Sequence, residues 1–476
     1  MSTKILGIDI GSFQICAVIA QHDENGIKII GIGTEKTQGI RKGVITNIEQ
    51  AAKSIKNALI EAQRVAGTRY EKVIVSISGA YTKSVDSSGV VNIPNHEIGI
   101  KEIERAMQMA DHTADIPHEY EKLHVLPYNF KVDDQEHIED PLGMNGSRLE
   151  VQTHIVMAQK SSLSNLRKAL NLAGVEPDNI VLSSYASAIA TLNQDEKDLG
   201  VAFIDMGGAT CNMIIHSGNS IRYNEFLGIG SSNITNDLSA ALHTPILKAE
   251  DIKLNYGILL NNANELVEIP PINEDGKVQE VSLDVISNVI YARAEETLMI
   301  LAKMLEDSGY KNSIAAGVVL TGGMTKLEGI RELAIAVFDN MPVRIARPKE
   351  MEGLYEILRD PANSCAIGLC MYGAGYFTPY EIDSEKKMRY KDEIVVKNKI
   401  LKDIVYDNGV KIEDKKNIEE VDNKIFRGST LDDNYIDDLR IDDDRTLQDE
   451  LNEDLNKKEK KPNIFSVIWN KITQLF

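Results

Sequence analysis

Two short stretches of the sequence pair an acid with a glycine-bearing turn at the end of an apolar run. In the first, Ile5-Leu6-Gly7-Ile8-Asp9-Ile10-Gly11-Ser12 is followed by Ile15-Cys16-Ala17-Val18-Ile19-Ala20. In the second, Val201-Ala202-Phe203-Ile204-Asp205-Met206-Gly207-Gly208-Ala209-Thr210 is followed by an apolar strand from Met213 to His216. Each reads as a β-hairpin with bare backbone at its tip. Glycine there lets the turn take φ > 0 and lets N–H groups approach an anion closely. Two such hairpins facing each other would clamp phosphate and offer two carboxylates to a metal ion. Either copy alone is a weak signal, because strand-Asp-Gly turns are common. The repetition carries the reading.

The elements that must position these turns follow from periodicity. After the first hairpin comes a strand at Ile27–Gly33, then a helix over Asn47–Ala66 with Ile48, Ala51, Ala52, Ile55, Ala58, Leu59 and Ala62 on one face. Lys72–Ser78 reads as a strand. From 83 to 157 the character changes to a small α/β insertion, with a charged helix at Lys101–Ala114 and a strand at Leu149–Met157. Ser161–Ala173 is an amphipathic helix that Gly174 would stop. Beyond the second hairpin, helices are expected over Asn233–Leu242, Lys248–Leu260, Val285–Leu305, Glu328–Phe338 and Cys365–Tyr372. Gly317-Val-Val-Leu-Thr-Gly-Gly is a third strand running into a glycine turn.

Composition narrows the function classes. A formal charge of −20 over 476 residues argues against nucleic acid as a ligand. The four cysteines are scattered without ligand spacing, so a disulfide framework or zinc site is not expected. No signal segment and no membrane span is evident, which makes a cytoplasmic body the expectation. Between Asp432 and Asp454 eleven acids face only Arg440 and Arg445. From 381 to 461 the sequence is charged and poorly periodic, and a disordered acidic tether is expected there.

The tether ends in a different kind of segment, 462–476. On a helix, Ile464, Phe465, Ile468, Trp469, Ile472, Leu475 and Phe476 fall within an arc of about 140°. Ser466, Asn470, Thr473 and Gln474 take the other side, and Lys457, Lys458, Lys460 and Lys461 lie just upstream. Such a helix, too short to span a bilayer, fits an interfacial membrane anchor. Docking into a groove of the body or against a partner helix is the alternative.

The two Asp-x-Gly hairpins and Thr321-Gly322-Gly323 resemble the actin, sugar kinase and heat-shock chaperone superfamily. Leu123-His124-Val125-Leu126-Pro127, Asp140-Pro141-Leu142-Gly143-Met144-Asn145-Gly146-Ser147-Arg148-Leu149 and Gly317–Gly323 resemble motifs of the FtsA family, bacterial cell-division relatives of actin. The resemblance covers about residues 4–380. It implies an α/β, actin-like two-lobed ATPase fold with an inserted 1C subdomain, followed by the tether and the amphipathic helix. Subdomain 1A would comprise 1–82, 158–198 and 346–380, with 1C at 83–157. Subdomain 2A would comprise 199–227 and 311–345, and 2B 228–310.

Carried over residue by residue, the resemblance puts Gly11 and Ser12 on one ATP phosphate loop and Gly207, Gly208 and Thr210 on the other. Asp9 and Asp205 would hold Mg²⁺ through water. Gly322 and Gly323 would pass under the adenosine, with Glu250 and Lys253 reaching the base and ribose unless they form a surface salt bridge. Arg293 and Glu296 would take the C-terminal tail of FtsZ, or else form a solvated i,i+3 pair. The implied function is a protein that polymerises head to tail on cytoplasmic membrane lipids, anchors the division ring at the inner membrane and recruits later division proteins. It would be at most a slow ATPase. Gln14 stands where the family often has Lys, which should weaken the electrostatics around phosphate. An assembly factor for pili or cell shape, or a small-molecule kinase on the same fold, is the alternative. No acid stands out as a kinase base.

Overall fold

The computed structural model describes residues 2–390 apart from 25, 219, 260–264, 272–277 and 354–357. The expected tether beyond 390 and the terminal helix, including Trp469, lie outside the described residues.

The first hairpin is β1 (Thr3–Ile10) and β2 (Gln14–Asp23), with Asp9 opposite Cys16, and β3 (Gly26–Lys36) extends it antiparallel. A small hairpin follows, β4 (Ile40–Arg41) and β5 (Val44–Ile45). Helix α1 (Ile48–Ala66) starts where Asn47 accepts from the Gln50 N–H at 3.0 Å and ends at Gly67, φ 62°. Its alanine face lies on β3, where a Cβ on Gly31 would stand 2.7 Å from Ala66 Cβ. Strand β6 (Lys72–Ile77) pairs with β1 in parallel.

The insertion forms its own layer: β7 (Thr82–Asn92), α2 (Ile100–Thr113), β8 (Tyr120–Val132), β9 (Gln135–Ile138) and β10 (Arg148–Gln159), with sheet order β7-β10-β8-β9. Ile103, Ala106 and Met107 of α2 pack on Val125, Leu149 and Val151. This unit also leans on the second lobe. His154 lies 3.0 Å from Asn224 Oδ1, and the Arg222 guanidinium sits 3.9 Å above the Tyr128 ring.

The chain then returns through α3 (Lys160–Ala173), β11 (Asn179–Leu182), α4 (Ser183–Thr191) and α5 (Gln194–Leu199). The second lobe repeats the pattern of the first. Strands β12 (Val201–Met206), β13 (Cys211–Ser217) and β14 (Ser220–Leu227) run antiparallel, and α6 (Ser231–Ala241), α7 (Ile246–Tyr256), β15 (Leu266–Ile269), β16 (Gln279–Ser282) and α8 (Leu283–Asp307) follow. Strand β17 (Val318–Thr321) lies parallel to β12, as β6 does to β1. After α9 (Ile330–Val337) and β18 (Val343–Ile345), β19 (Glu352–Gly353) joins the edge of β3, and α10 (Ser364–Gly373) closes the first lobe.

Period two along β12 divides its side chains between two cores. Val201 and Phe203 join the first-lobe core, and Ala202, Ile204 and Met206 the second. Helices α4 and α10 are buried on every side, as a helix between two sheets must be. They touch backbone to backbone, since a Cβ on Gly368 would collide with the Ala186 carbonyl.

One boundary differs from the sequence expectation. Order was expected to end near 380, yet a strap reaches Arg389 and is held by buried polar contacts. Glu381 accepts from Tyr185 Oη at 2.6 Å and from Tyr372 Oη, and Asp383 accepts from Asn179 Nδ2 at 2.7 Å. Ile382 exchanges backbone hydrogen bonds with Val125, pinning the insertion to the first lobe. Burial pushes the Glu381 carboxyl up to about 7, against the two tyrosine hydroxyls. Charge made these residues look like tether, but Tyr372 and two partners about 200 positions away, Tyr185 and Asn179, satisfy them. No helix among the described residues is long and apolar enough to cross a membrane. All four cysteines are buried free thiols.

Candidate functional site

The two glycine turns face each other across one cleft. A Cβ on Gly208 would stand 2.6 Å from Phe13 Cβ of the other turn. The reason for glycine differs from the expectation, because none of Gly11, Gly207 and Gly208 has positive φ. Crowding favours glycine there, severely at Gly11 and Gly208 and mildly at Gly207. A Cβ on Gly11 would run into the Gln14 carbonyl, and one on Gly207 would stand 3.0 Å from the Thr210 oxygen. Of the five glycines expected to line the site, only Gly322, at φ 91°, has positive φ. It passes directly beside Asp205, where a Cβ would meet the carboxylate.

Each turn is anchored through its carbonyls. Thr37 donates from its hydroxyl to the Gly11 oxygen at 2.7 Å and from its N–H to the Phe13 oxygen at 3.0 Å. In the second lobe the Ser231 and Ser232 N–H groups donate to the Gly207 and Gly208 oxygens at 3.1 and 2.6 Å. With the carbonyls engaged, the N–H groups of Gly11, Ser12, Phe13, Gly208 and Ala209 donate to no acceptor among the described residues. Successive free amides in a turn form an anion-binding nest.

The carboxylates sit at the floor. Ser76 Oγ donates to Asp9 Oδ1 at 2.8 Å, and Ser187 Oγ donates to Asp205 Oδ2 at 2.6 Å. Cys365, in the first turn of α10, lies beside Asp9. Both side chains keep partial solvent access, but the surrounding protein dominates their electrostatics. Burial raises the Asp9 carboxyl, against hydrogen bonds from Cys365 and Ser76. Burial raises Asp205 to about 6, opposed by Ser187 and helped by the negative charge of Asp9. Two desolvated acids that repel each other are a poor resting arrangement without a cation. Among the described residues no cluster of three or more metal-ligating side chains exists. Two carboxylates beside an anion nest fit Mg²⁺, which keeps several waters and shares phosphate oxygens.

Glu250 and Lys253 are not a surface salt bridge. Lys253 is 7% exposed, bonds Glu250 at 2.8 Å and Thr235 Oγ1 at 3.0 Å, and reaches the carbonyl of Ser231 at 3.3 Å. Since Ser231 also holds Gly207, the pair is joined to the second turn. Gly323 lies in the short turn Gly323–Lys326, where a Cβ would stand 3.7 Å from Ala362 Cβ. Arg293 and Glu296 lie elsewhere, on α8. Arg293 bonds Glu296 and also grips Asp237 of α6, with Nη2 3.1 Å from Oδ1. Sequence reasoning missed Asp237, along with Ser76, Ser187 and Thr37. The serines had one usable signal, a hydroxyl interrupting a buried apolar run.

A cavity of about 450 Å³ lined by Arg167, Asn171 and Glu385 lies apart from this cleft, at the strap. Its arginine already has Glu121 and Glu385 within 3.6 and 3.7 Å.

Comparison with known proteins gives a consistent picture. Residues 202–368 match the family model described as cell division protein FtsA, and residues 79–157 match the SHS2 domain inserted in FtsA. The chain is similar to cell division protein FtsA of Helicobacter pylori, 41% identical over 82% of this chain and 85% of that protein. It is similar to FtsA of Pseudomonas aeruginosa, 38% identical over 78% and 89% of the two chains. Against FtsA of Escherichia coli the identity is 28% over 81% and 93%. Among solved structures, a chain of a PilM–PilN type IV pilus biogenesis complex superposes with TM-score 0.56 and 20% identity, covering 78% of this chain and 98% of that one. That likeness concerns the actin-like fold alone.

Proposed function

The chain belongs to the FtsA family of cell-division proteins, and from that premise we propose that it is an ATP-dependent filament subunit tethered to the cytoplasmic face of the inner membrane. It polymerises head to tail, binds the C-terminal tail of FtsZ, anchors the division ring and recruits later division proteins. The observation that carries the nucleotide part is the facing pair of turns, with unspent amides above two acids whose charge needs a cation. Gly11, Ser12, Gly207, Gly208 and Thr210 hold the phosphates, and Gly322, Gly323, Glu250 and Lys253 border the adenosine. Asp9 and Asp205 would hold Mg²⁺ through water, and the ion would supply positive charge against the phosphates. The acids orient it, and the amides fix the phosphate oxygens. This arrangement favours tight binding and lobe closure. Gln14 leaves the first turn without the point charge of a lysine near the phosphates, and hydrolysis is slow at most.

Arg293 offers the FtsZ tail a guanidinium prepositioned by Asp237 and Glu296. The terminal residues Ile464, Phe465, Ile468, Trp469, Ile472, Leu475 and Phe476 supply the membrane anchor. Co-sedimentation of the full chain and of residues 1–461 with anionic liposomes tests the tether. Only the full chain should pellet, and equal pelleting rejects the anchor. Arg293→Glu should weaken binding of an FtsZ-tail peptide while leaving the melting curve of the body in place. An unchanged affinity returns Arg293 to a purely structural role.

A further inference from the structure

Neither turn carries a Lys or Arg between residues 9 and 14 or between 205 and 212. A triphosphate with one Mg²⁺ remains anionic and would lie against Asp9 and Asp205. Amide dipoles offset part of that repulsion, and a full positive charge close by would offset more. We propose that Lys42 supplies it, reaching across the mouth of the cleft to the terminal phosphate. This deepens the nucleotide reading above and rests on it.

Lys42 occupies the tip of the β4–β5 hairpin with Gly43. Their φ values are 47° and 78°, and two positive values are what a type I′ turn demands. Asn-Gly or Asp-Gly is the favoured pair in such a turn, whereas lysine strains the backbone by about 1 kcal/mol. A local cost retained at a cleft points to a function for the side chain. The tip is fixed to the first turn, because the Gly43 N–H donates to Ser12 Oγ at 2.7 Å. It is also packed on Ser78, whose Cβ a Cβ on Gly43 would approach to 2.6 Å.

The Lys42 stem then crosses to the other lobe. Its Cδ lies 3.7 Å from the position of a Cβ on Gly228. Two residues on, Gly230 is pressed into the second turn, where a Cβ would stand 2.6 Å from the Gly207 oxygen and 2.7 Å from the Thr210 nitrogen. Lys42 is therefore bracketed by both turns. Lys42 is an exposed residue, and its amine has no ion-pair or hydrogen-bond partner among the described residues. The other cleft lysine, Lys253, is locked to Glu250. Lys42 is thus a cation left available at the cleft among the described residues, and it stands in for the charge that Gln14 does not provide.

The test is titration of the full-length protein with Mg·ATP and Mg·ADP, read by fluorescence of a labelled nucleotide. Lys42→Asn suits it because asparagine tolerates positive φ while removing the charge. ATP affinity should fall roughly tenfold, the scale of one charge-assisted hydrogen bond, and ADP affinity much less. Adding Gln14→Lys to Lys42→Asn should recover most of the ATP loss, and Lys42→Arg should stay near wild type. Wild-type ATP affinity in Lys42→Asn, or an equal loss for ATP and ADP, overturns the assignment. If Asp205→Ala abolishes ATP binding while Lys42→Asn does not alter it, the site stands and only Lys42 is wrong. If the wild type binds neither nucleotide, both readings fall.

Discussion

The two turns that face each other across the cleft share a frame but are held in different ways. In each, an aspartate is the penultimate residue of a strand, the next strand returns antiparallel, and a parallel strand lies on the other side. A serine from outside the hairpin bonds each carboxylate. Beyond that the resemblance stops. The first turn is pinned by Thr37 of the segment after β3 and by the Lys42-Gly43 tip. The second rests on the N-terminus of α6, which spends its first amides on the turn's carbonyls. What is common to the two lobes is the place of the charge, and each lobe holds it with whatever its own insertion offers.

The largest predicted effect breaks the pair of charges. Asp205→Asn should lower Mg·ATP affinity by two orders of magnitude or more, roughly the loss of a charged partner to a desolvated cation. The same change should stabilise the free protein. Asp205 has a folded value of about 6 against an ordinary 3.8. Between those pH values the folded chain holds a proton that the unfolded chain has released. Stability from this group therefore falls as pH rises from about 4 to 6, and the cost of its ionisation is complete above that window. The thermal midpoint of nucleotide-free Asp205→Asn should exceed that of the wild type at pH 7.5, and the gap should narrow through pH 5 and close toward pH 4. A variant that melts lower at both pH values would mean that Asp205 is a structural acid.

A smaller and more discriminating contrast separates the two tips. Gly11→Ala drives a Cβ into the Gln14 carbonyl, which is backbone and already part of β2. Gly207→Ala meets the Thr210 oxygen at 3.0 Å, a contact that a few tenths of an ångström would relieve. Gly11→Ala should cost about tenfold or more in nucleotide affinity, and Gly207→Ala only a few-fold. Equal effects would mean that the second turn is as rigidly held as the first.

This contrast also marks where sequence reasoning reached its limit. Alternating apolar residues ending in Asp-x-Gly made both hairpins legible, and the glycines were recognisably required. Their reason was not, because crowding from Gln14, Phe13 and Thr210 is set by the folded turn and not by residue type. Strand β7 escaped notice because Thr82–Asn92 carries three serines, a lysine, an aspartate and a glycine, and only its full-length pairing with β10 makes it a strand. The strap to Arg389 was hidden for a related reason. Glu381, Asp383 and Arg389 read as solvated charge until Tyr185, Tyr372 and Asn179 are brought beside them.

The smallest predicted effect concerns the two serines, which look equivalent but differ in what else they hold. Ser187 Oγ donates to Asp205, and removing it takes away one hydrogen bond that lowers the carboxyl's pKa. Asp205 should then titrate higher, with nucleotide affinity at pH 7 reduced a few-fold. Ser76 Oγ donates to Asp9 and also accepts from the Ile10 N–H at 2.8 Å. Ser76→Ala therefore leaves a buried amide at the end of β1 without a partner, at a cost of about 1–3 kcal/mol. Chemical denaturation should find Ser76→Ala less stable than Ser187→Ala, with the denaturant slope unchanged in both. If the order reverses, the first carboxylate owes its position to Cys365 and α10 rather than to β6, and the parallel between the two lobes is closer in sequence than in the forces that hold it.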